Sequence, residues 1–121
     1  MAIENFPEEN IREILTYLPE LQAMNIISGI QPSKQVQDML IAFDRLGFVK
    51  TGFNYEEWLR SLPEGFATDI RVLEYADFDI VRNLITANIR INRFVGGYLD
   101  ALLVRGYFHR ILLRINELYV S

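Results

Sequence analysis

Apolar residues recur every three or four positions along most of the chain, and this spacing constrains the fold more than any other feature. The pattern is clearest after Asp77, where Val81, Leu84, Ile85 and Ile89 would lie on one side of a helix. The apolar face of this segment is broad, which indicates a helix that is buried on more than one side. The sequence therefore predicts an all-α fold that contains a long helix beginning at Asp77.

Residues that typically begin or end helices divide the chain into five or six short helices. We expect residues 25–33 to form a loop and residues 65–76 to be irregular. No linker, repeat or low-complexity run interrupts the pattern, so residues 1–121 are predicted to form a single compact helical domain. The predicted helix boundaries lie at Pro7, Pro19 (an interruption or restart of the first helix), Ser33, Gly47, Asn54, Pro63, Asp77, Gly96–Gly97 and Gly106.

The composition excludes several classes of protein. The chain has 121 residues, half of them apolar, so it is long enough to bury one core and is not of a disordered type. It contains no cysteine and one histidine, which excludes disulfides and a thiol nucleophile and argues against a transition-metal site. We therefore expect no metal and no cofactor. The N-terminal residues lack a secretory pattern and no apolar run is long enough to span a bilayer, which predicts a cytoplasmic protein without membrane contact.

Charge is distributed unevenly along the chain. Residues 1–81 hold 6 basic and 14 acidic groups, a balance of −8, whereas residues 82–121 hold 6 basic and 2 acidic groups, a balance of +4. One interpretation is that these charges pair across helix interfaces or are simply solvated. The other is that the basic part attracts an anionic ligand or partner. The net charge of −4 does not favour a nucleic acid as that partner.

Four polar residues share one face of the long helix. Arg82, Thr86, Arg90 and Arg93 follow one another at steps of four, four and three, which places them in a single stripe. Arginine side chains in such a stripe can bind carboxylates or phosphates through their forked donors.

The end of this stripe meets a pair of glycines. A helix that begins at Gly97 would leave its first backbone N–H groups free, and the Gly96–Gly97 pair would let a ligand approach them. Together with Arg82, the residues Arg90 and Arg93 make this corner the best candidate for an anion-binding site. The alternative is structural: Arg93 caps its own helix or pairs with Asp100, and the glycines only allow a tight turn.

His109 and Arg110 form a secondary candidate site in the last helix. A histidine can act as a general base, but no spacing in the sequence identifies a nucleophile or carboxylate that would assist it. Catalysis by His109 is therefore the weakest of the hypotheses, and we do not expect an enzyme.

Arg90, Arg93, Phe94 and Gly97 form an Arg-x-x-Arg-Phe-x-x-Gly pattern that resembles a family of small uncharacterised bacterial proteins, a domain of unknown function. Weaker matches upstream extend the resemblance over most of the chain. It implies a helical fold and a bacterial source, but no activity. In the family pattern an acid often stands where this chain has Asn92, and a histidine where it has Tyr98.

The sequence thus leads to one favoured function and one alternative. The favoured hypothesis is a non-enzymatic module that binds a partner protein, or a second copy of itself, through an apolar helical surface. The alternative is a protein that binds a phosphate-bearing small ligand or nucleic acid through the arginine and glycine corner.

Overall fold

A computed structural model describes residues 3–26 and 34–121 of the chain. These residues form seven α-helices and two short 3-10 helices, without any strand. The predicted all-α fold is confirmed, and the segment predicted to be irregular contains the 3-10 helices at Phe66–Thr68 and Ile70–Glu74. The α-helices are α1 (Glu8–Leu15), α2 (Leu18–Ile26), α3 (Lys34–Arg45), α4 (Tyr55–Arg60), α5 (Phe78–Ile91), α6 (Tyr98–Val104) and α7 (Tyr107–Val120).

The first predicted helix is divided into α1 and α2, which accounts for the seventh helix. At the division, the N–H groups of Thr16 and Tyr17 donate to carbonyls only three residues back, which tightens the last turn of α1. Pro19 lies in the first turn of α2, where its missing N–H costs nothing. Helix α2 continues through Ile26, two residues into the stretch predicted as a loop. The predicted cap at Ser33 lies outside the described residues.

The other helix boundaries follow the sequence signals closely. The Asp77 carboxylate accepts from the Ile80 N–H at 2.8 Å, and the Asn54 side chain accepts from the Glu57 N–H at 3.1 Å. The Glu57 carboxylate lies 3.5 Å from the Asn54 amide nitrogen and does not reach back to the backbone, so only half of a capping box forms. Gly47 ends α3 with a φ of +86°, a conformation that favours glycine.

Helix α7 lies at the centre of the fold and packs against α1, α2, α5 and α6. Its inward side chains are inaccessible to solvent, as are Val81, Leu84 and Ile85 of α5. The Tyr119 hydroxyl donates to the Glu8 carboxylate at 2.6 Å, which joins the end of α7 to the start of α1. The buried residues of α7 are Tyr107, Phe108, Ile111, Leu112, Ile115 and Leu118.

Candidate functional site

Arg90 binds the backbone of the segment that connects α3 to α4. Its Nη1 donates to the Phe53 carbonyl at 2.5 Å and its Nη2 to the Lys50 carbonyl at 2.6 Å. Both bonds are partly buried and join residues 37 and 40 positions apart in sequence. A forked cation that satisfies two carbonyls of one segment fixes the position of that segment. We refer to residues 47–53 as the 47–53 loop.

Two further residues of the α5 stripe bind the same loop. The Thr86 hydroxyl accepts from the Lys50 N–H at 2.9 Å and donates to the Arg82 carbonyl at 2.8 Å. The Arg82 Nη2 donates to the Gly47 carbonyl at 2.9 Å, and its guanidinium lies 5.4 Å from the centre of the Phe6 ring. Three consecutive members of the predicted stripe therefore hold one loop against α5.

The charge pattern allowed two interpretations: charges that pair with one another or are solvated, and a basic region that attracts an anionic ligand or partner. Arg82 and Arg90 of the stripe show a third arrangement. Arg82 and Arg90 bind backbone carbonyls, because the 47–53 loop has no regular secondary structure that could satisfy those groups. Arg114 of α7 does the same, since its Nε donates to the Ala76 carbonyl at 2.8 Å. Half of the six basic residues in 82–121 therefore stabilise turns of the fold.

The Gly96–Gly97 corner differs from the expected anion site. The N–H of Tyr98 donates to the Val95 carbonyl at 3.2 Å, and the N–H of Leu99 donates to the Asn92 side chain at 3.1 Å. Two of the N–H groups expected to be free at the start of α6 are therefore bonded within the chain. Gly97 has a φ of +76°, which explains the glycine, and a Cβ added at Gly96 would meet no atom within 4 Å. Neither glycine shows a close approach of backbone to another group.

Arg93 is the one member of the stripe that forms no hydrogen bond with the 47–53 loop. It is exposed, and its side chain has no hydrogen bond or ion pair with another described residue, including Asp100. It lines a groove of about 450 Å³, which we call the α3–α5 groove. The groove is lined by Gln37, Leu40, Ile41, Asp44, Val49, Ile89, Arg90, Asn92, Arg93 and Leu99.

Large apolar side chains lie in the α3–α5 groove and in the turn beside it. Ile41 lines the groove with 67% of its surface exposed. Phe94 and Val95 directly follow Arg93 and are 80% and 50% exposed. Single exposed apolar residues are common, but a cluster around a concave surface is typical of a binding site. The sequence pattern indicated the Arg93 side of this surface but not Ile41 or Asp44, which come from another helix.

The secondary candidates, His109 and Arg110, lie in the first turn of α7. His109 is half-buried in the first turn of α7, and burial, followed by the charge of Arg110, lowers the pKa of its imidazole. Arg110 is exposed and lines a small depression of about 50 Å³ together with Glu74 and Glu117. Within the described ranges no three His, Asp or Glu side chains come together as metal ligands.

A buried polar cluster between α5, α6 and α7 has no counterpart in the sequence hypotheses. Asn88 is fully buried; its amide nitrogen donates to the carbonyls of Ala67 and Leu84 at 3.0 and 2.9 Å. The Tyr98 hydroxyl donates to the Asn88 Oδ1 at 2.5 Å, and the Tyr107 hydroxyl lies 3.5 Å from the Asn88 Nδ2. The available signal was an asparagine four residues after Leu84, within an otherwise apolar face of α5. This cluster lies beside a second cavity, lined in part by Tyr107.

In the described part of the chain, no helix is long and apolar enough to cross a membrane. Comparison with known proteins adds a family but no activity. A family of unknown function, DUF6508, matches residues 6–121. No curated protein and no solved structure matches the chain significantly.

Proposed function

The chain belongs to the DUF6508 family of unknown function, and we propose that it is a non-enzymatic interaction module that binds a second copy of itself through the α3–α5 groove. The observation that carries this proposal is the position of Phe94, an 80% exposed aromatic side chain next to a groove of about 450 Å³. Exposed aromatic residues that fill a pocket on a partner are typical of the energetic centres of protein interfaces.

The chain supplies both the groove and a side chain suited to fill it. In a two-fold dimer each subunit presents the same surface, so a residue beside the groove of one subunit faces the groove of the other. Phe94 directly follows the groove residue Arg93 and is therefore near enough for such an exchange. The apolar lining from Leu40, Ile41 and Ile89 would receive the ring.

The charges at the edge of the groove are self-complementary. Arg93 lies in the turn that follows α5 and Asp44 in α3, and neither has a side-chain ion pair with another described residue. In the proposed dimer, a two-fold axis through the groove pairs Arg93 of each subunit with Asp44 of the other. Opposite charges in this arrangement favour one register of association over others.

Sedimentation velocity over a range of protein concentrations tests the proposal. We expect a reversible dimer that Phe94→Asp abolishes, because a carboxylate in an apolar groove is strongly unfavourable. Val120→Asp is the matched control, since Val120 is 70% exposed but does not line the groove, and it should leave the dimer intact. A monomer at every concentration, or equal effects of the two variants, would contradict the proposal.

A charge exchange separates pairing in the proposed register from general adhesion. Arg93→Asp and Asp44→Arg should each weaken the dimer, and the double variant should recover most of the loss because the pair is rebuilt with reversed signs. No recovery in the double variant would exclude the reciprocal Arg93–Asp44 pairing. A wild-type monomer that binds a different protein through the same groove would overturn self-association in favour of another partner.

The alternative function is binding of a phosphate-bearing ligand or nucleic acid at the Arg93 end of the stripe. In this alternative Arg93 is the arginine of the stripe that would bind the ligand, because the guanidinium groups of Arg82 and Arg90 bind the 47–53 loop. The prediction is salt-dependent binding that Arg93→Gln removes. Titration with inorganic phosphate and with a short oligonucleotide, at two salt concentrations, tests it.

We further infer that the protein acts in the bacterial cytoplasm. The absence of cysteine supports a compartment where disulfides do not form, and the resemblance described above supports the bacterial source. Fractionation of cells that produce the tagged protein tests the compartment.

A further inference from the structure

A second cavity is lined by residues of the two 3-10 helices and by the junction of α6 with α7. It holds about 420 Å³ and has a more polar character than the α3–α5 groove. The side chains that give it this character are Glu64, Thr68, Asp69, Arg71, Arg105 and Tyr107.

One positive and one negative group of this cavity are left without partners. Asp69 and Arg71 neutralise each other through two hydrogen bonds of 3.0 and 2.8 Å. Glu64 and Arg105 line the same cavity, are exposed, and form no side-chain hydrogen bond or ion pair with each other or with another described residue. A ligand that carries both signs of charge is therefore better matched to the cavity than a simple anion such as phosphate, which Glu64 would repel.

The buried wall of the cavity adds a hydrogen-bond donor. Tyr107 is only 1% exposed, and its hydroxyl receives at most a weak bond from Asn88, whose two amide hydrogens are already directed to the closer carbonyls of Ala67 and Leu84. The hydroxyl hydrogen of Tyr107 has no acceptor among the described residues. Burial raises the pKa of this hydroxyl, although the contact with Asn88 acts in the opposite direction, so the hydroxyl stays protonated at neutral pH.

We propose that this cavity binds a small zwitterion, a free α-amino acid, with its carboxylate at Arg105 and Tyr107 and its ammonium group at Glu64. The guanidinium of Arg105 provides the forked donor that a carboxylate prefers. The Tyr107 hydroxyl, which lacks an acceptor, would gain one from the same carboxylate. This site is independent of the α3–α5 groove, because the two cavities share no lining residue.

Protein NMR with isotope-labelled full-length chain tests the proposal. Each of the twenty L-amino acids is titrated to millimolar concentration while the amide resonances of residues 64–71 and 105–107 are followed. We expect at least one amino acid to shift these resonances with saturation. The amino acid that binds is then tested as its N-acetyl and its C-terminal amide derivatives, each of which lacks one of the two charges.

Variants at exposed positions separate binding from folding. Arg105→Gln and Glu64→Gln should each raise the dissociation constant by about tenfold or more, because each removes one charged contact. Arg110→Gln is the matched control: Arg110 is also exposed, on α7, but does not line the cavity, so binding should be unchanged. Tyr107→Phe should weaken binding while the chain retains its helical circular dichroism.

Three results would overturn the proposal. No amino acid shifts the cavity resonances; or the N-acetyl derivative binds as tightly as the free amino acid, which would make this an anion site; or Arg110→Gln weakens binding as much as Arg105→Gln, which would indicate non-specific attraction.

Discussion

Both ends of the α5 stripe carry arginine, but the arginines at the two ends make different contacts. At one end, Arg82 and Arg90 each donate to carbonyls of the 47–53 loop; at the other, Arg93 is exposed and has no partner among the described residues. The difference arises from the neighbours and not from the arginines. Where an irregular loop crosses the helix, its carbonyls take up the guanidinium groups, and where the loop ends, the stripe is left open. Arginines on one face of a helix are therefore not evidence of a common site.

The largest expected effect of this difference concerns stability. Arg90→Ala removes the donors of two partly buried carbonyls, and we expect it to lower the free energy of unfolding by about 2–4 kcal/mol. Arg93→Ala, at the open end of the stripe, should change it by less than about 0.5 kcal/mol. Urea denaturation of both variants measures the difference. Equal losses of unfolding free energy in the two variants would show that the two ends of the stripe do not differ in their contribution to stability.

A smaller effect on stability is expected at Thr86, whose hydroxyl bonds to the Arg82 carbonyl and to the Lys50 N–H of the loop. Thr86→Val keeps the shape of the side chain but leaves the Lys50 N–H without its acceptor, so the unfolding free energy should fall by about 1–2 kcal/mol. Thr51→Val is the control, because Thr51 is exposed in the same loop and should tolerate the change. If the control destabilises as much as Thr86→Val, the hydroxyl of Thr86 does not hold the loop.

The smallest effect is on the pH dependence of folding stability. It shows whether the basic region that follows α5 also stabilises the fold. Burial and Arg110 lower the pKa of folded His109 below its ordinary value of 6.5, so near and below that pH the unfolded chain binds more protons than the folded one. Stability therefore falls as the pH drops through this range. His109→Gln should show a smaller loss between roughly pH 7.5 and pH 5.5. Thermal denaturation of both proteins at these two values measures it, and identical losses would show that His109 does not contribute.

The sequence pattern predicted the residues of the stripe but not the groups that they bind. Steps of four, four and three placed Arg82, Thr86, Arg90 and Arg93 on one face, and the structure keeps the first three together on the loop. The acceptors of Arg82 and Arg90 lie 35 to 40 positions away and are backbone carbonyls, which every residue possesses and which no sequence pattern marks. The helix caps at Asn54 and Asp77 were predictable because they act over three residues.

The same reasoning explains why the sequence did not predict which residues come together in the two cavities. The α3–α5 groove combines Asp44 of α3 with Arg93 of the turn after α5, and the second cavity combines Glu64 with Arg105. Each pairing depends on how distant helices pack, which periodicity does not determine. Asn88 alone gave a local signal, as a polar residue on an apolar face, since a buried amide requires hydrogen-bond partners.

Amide hydrogen exchange at Lys50, compared between Arg90→Ala and Arg93→Ala, tests the division of the stripe most directly. The Lys50 N–H donates to Thr86 and its carbonyl accepts from Arg90, so this residue reports whether the loop is held against α5. We predict that exchange at Lys50 is about tenfold faster or more in Arg90→Ala than in wild type, and unchanged in Arg93→Ala. The same exchange rate at Lys50 in both variants would contradict the division of the stripe into a loop-binding part and an open end.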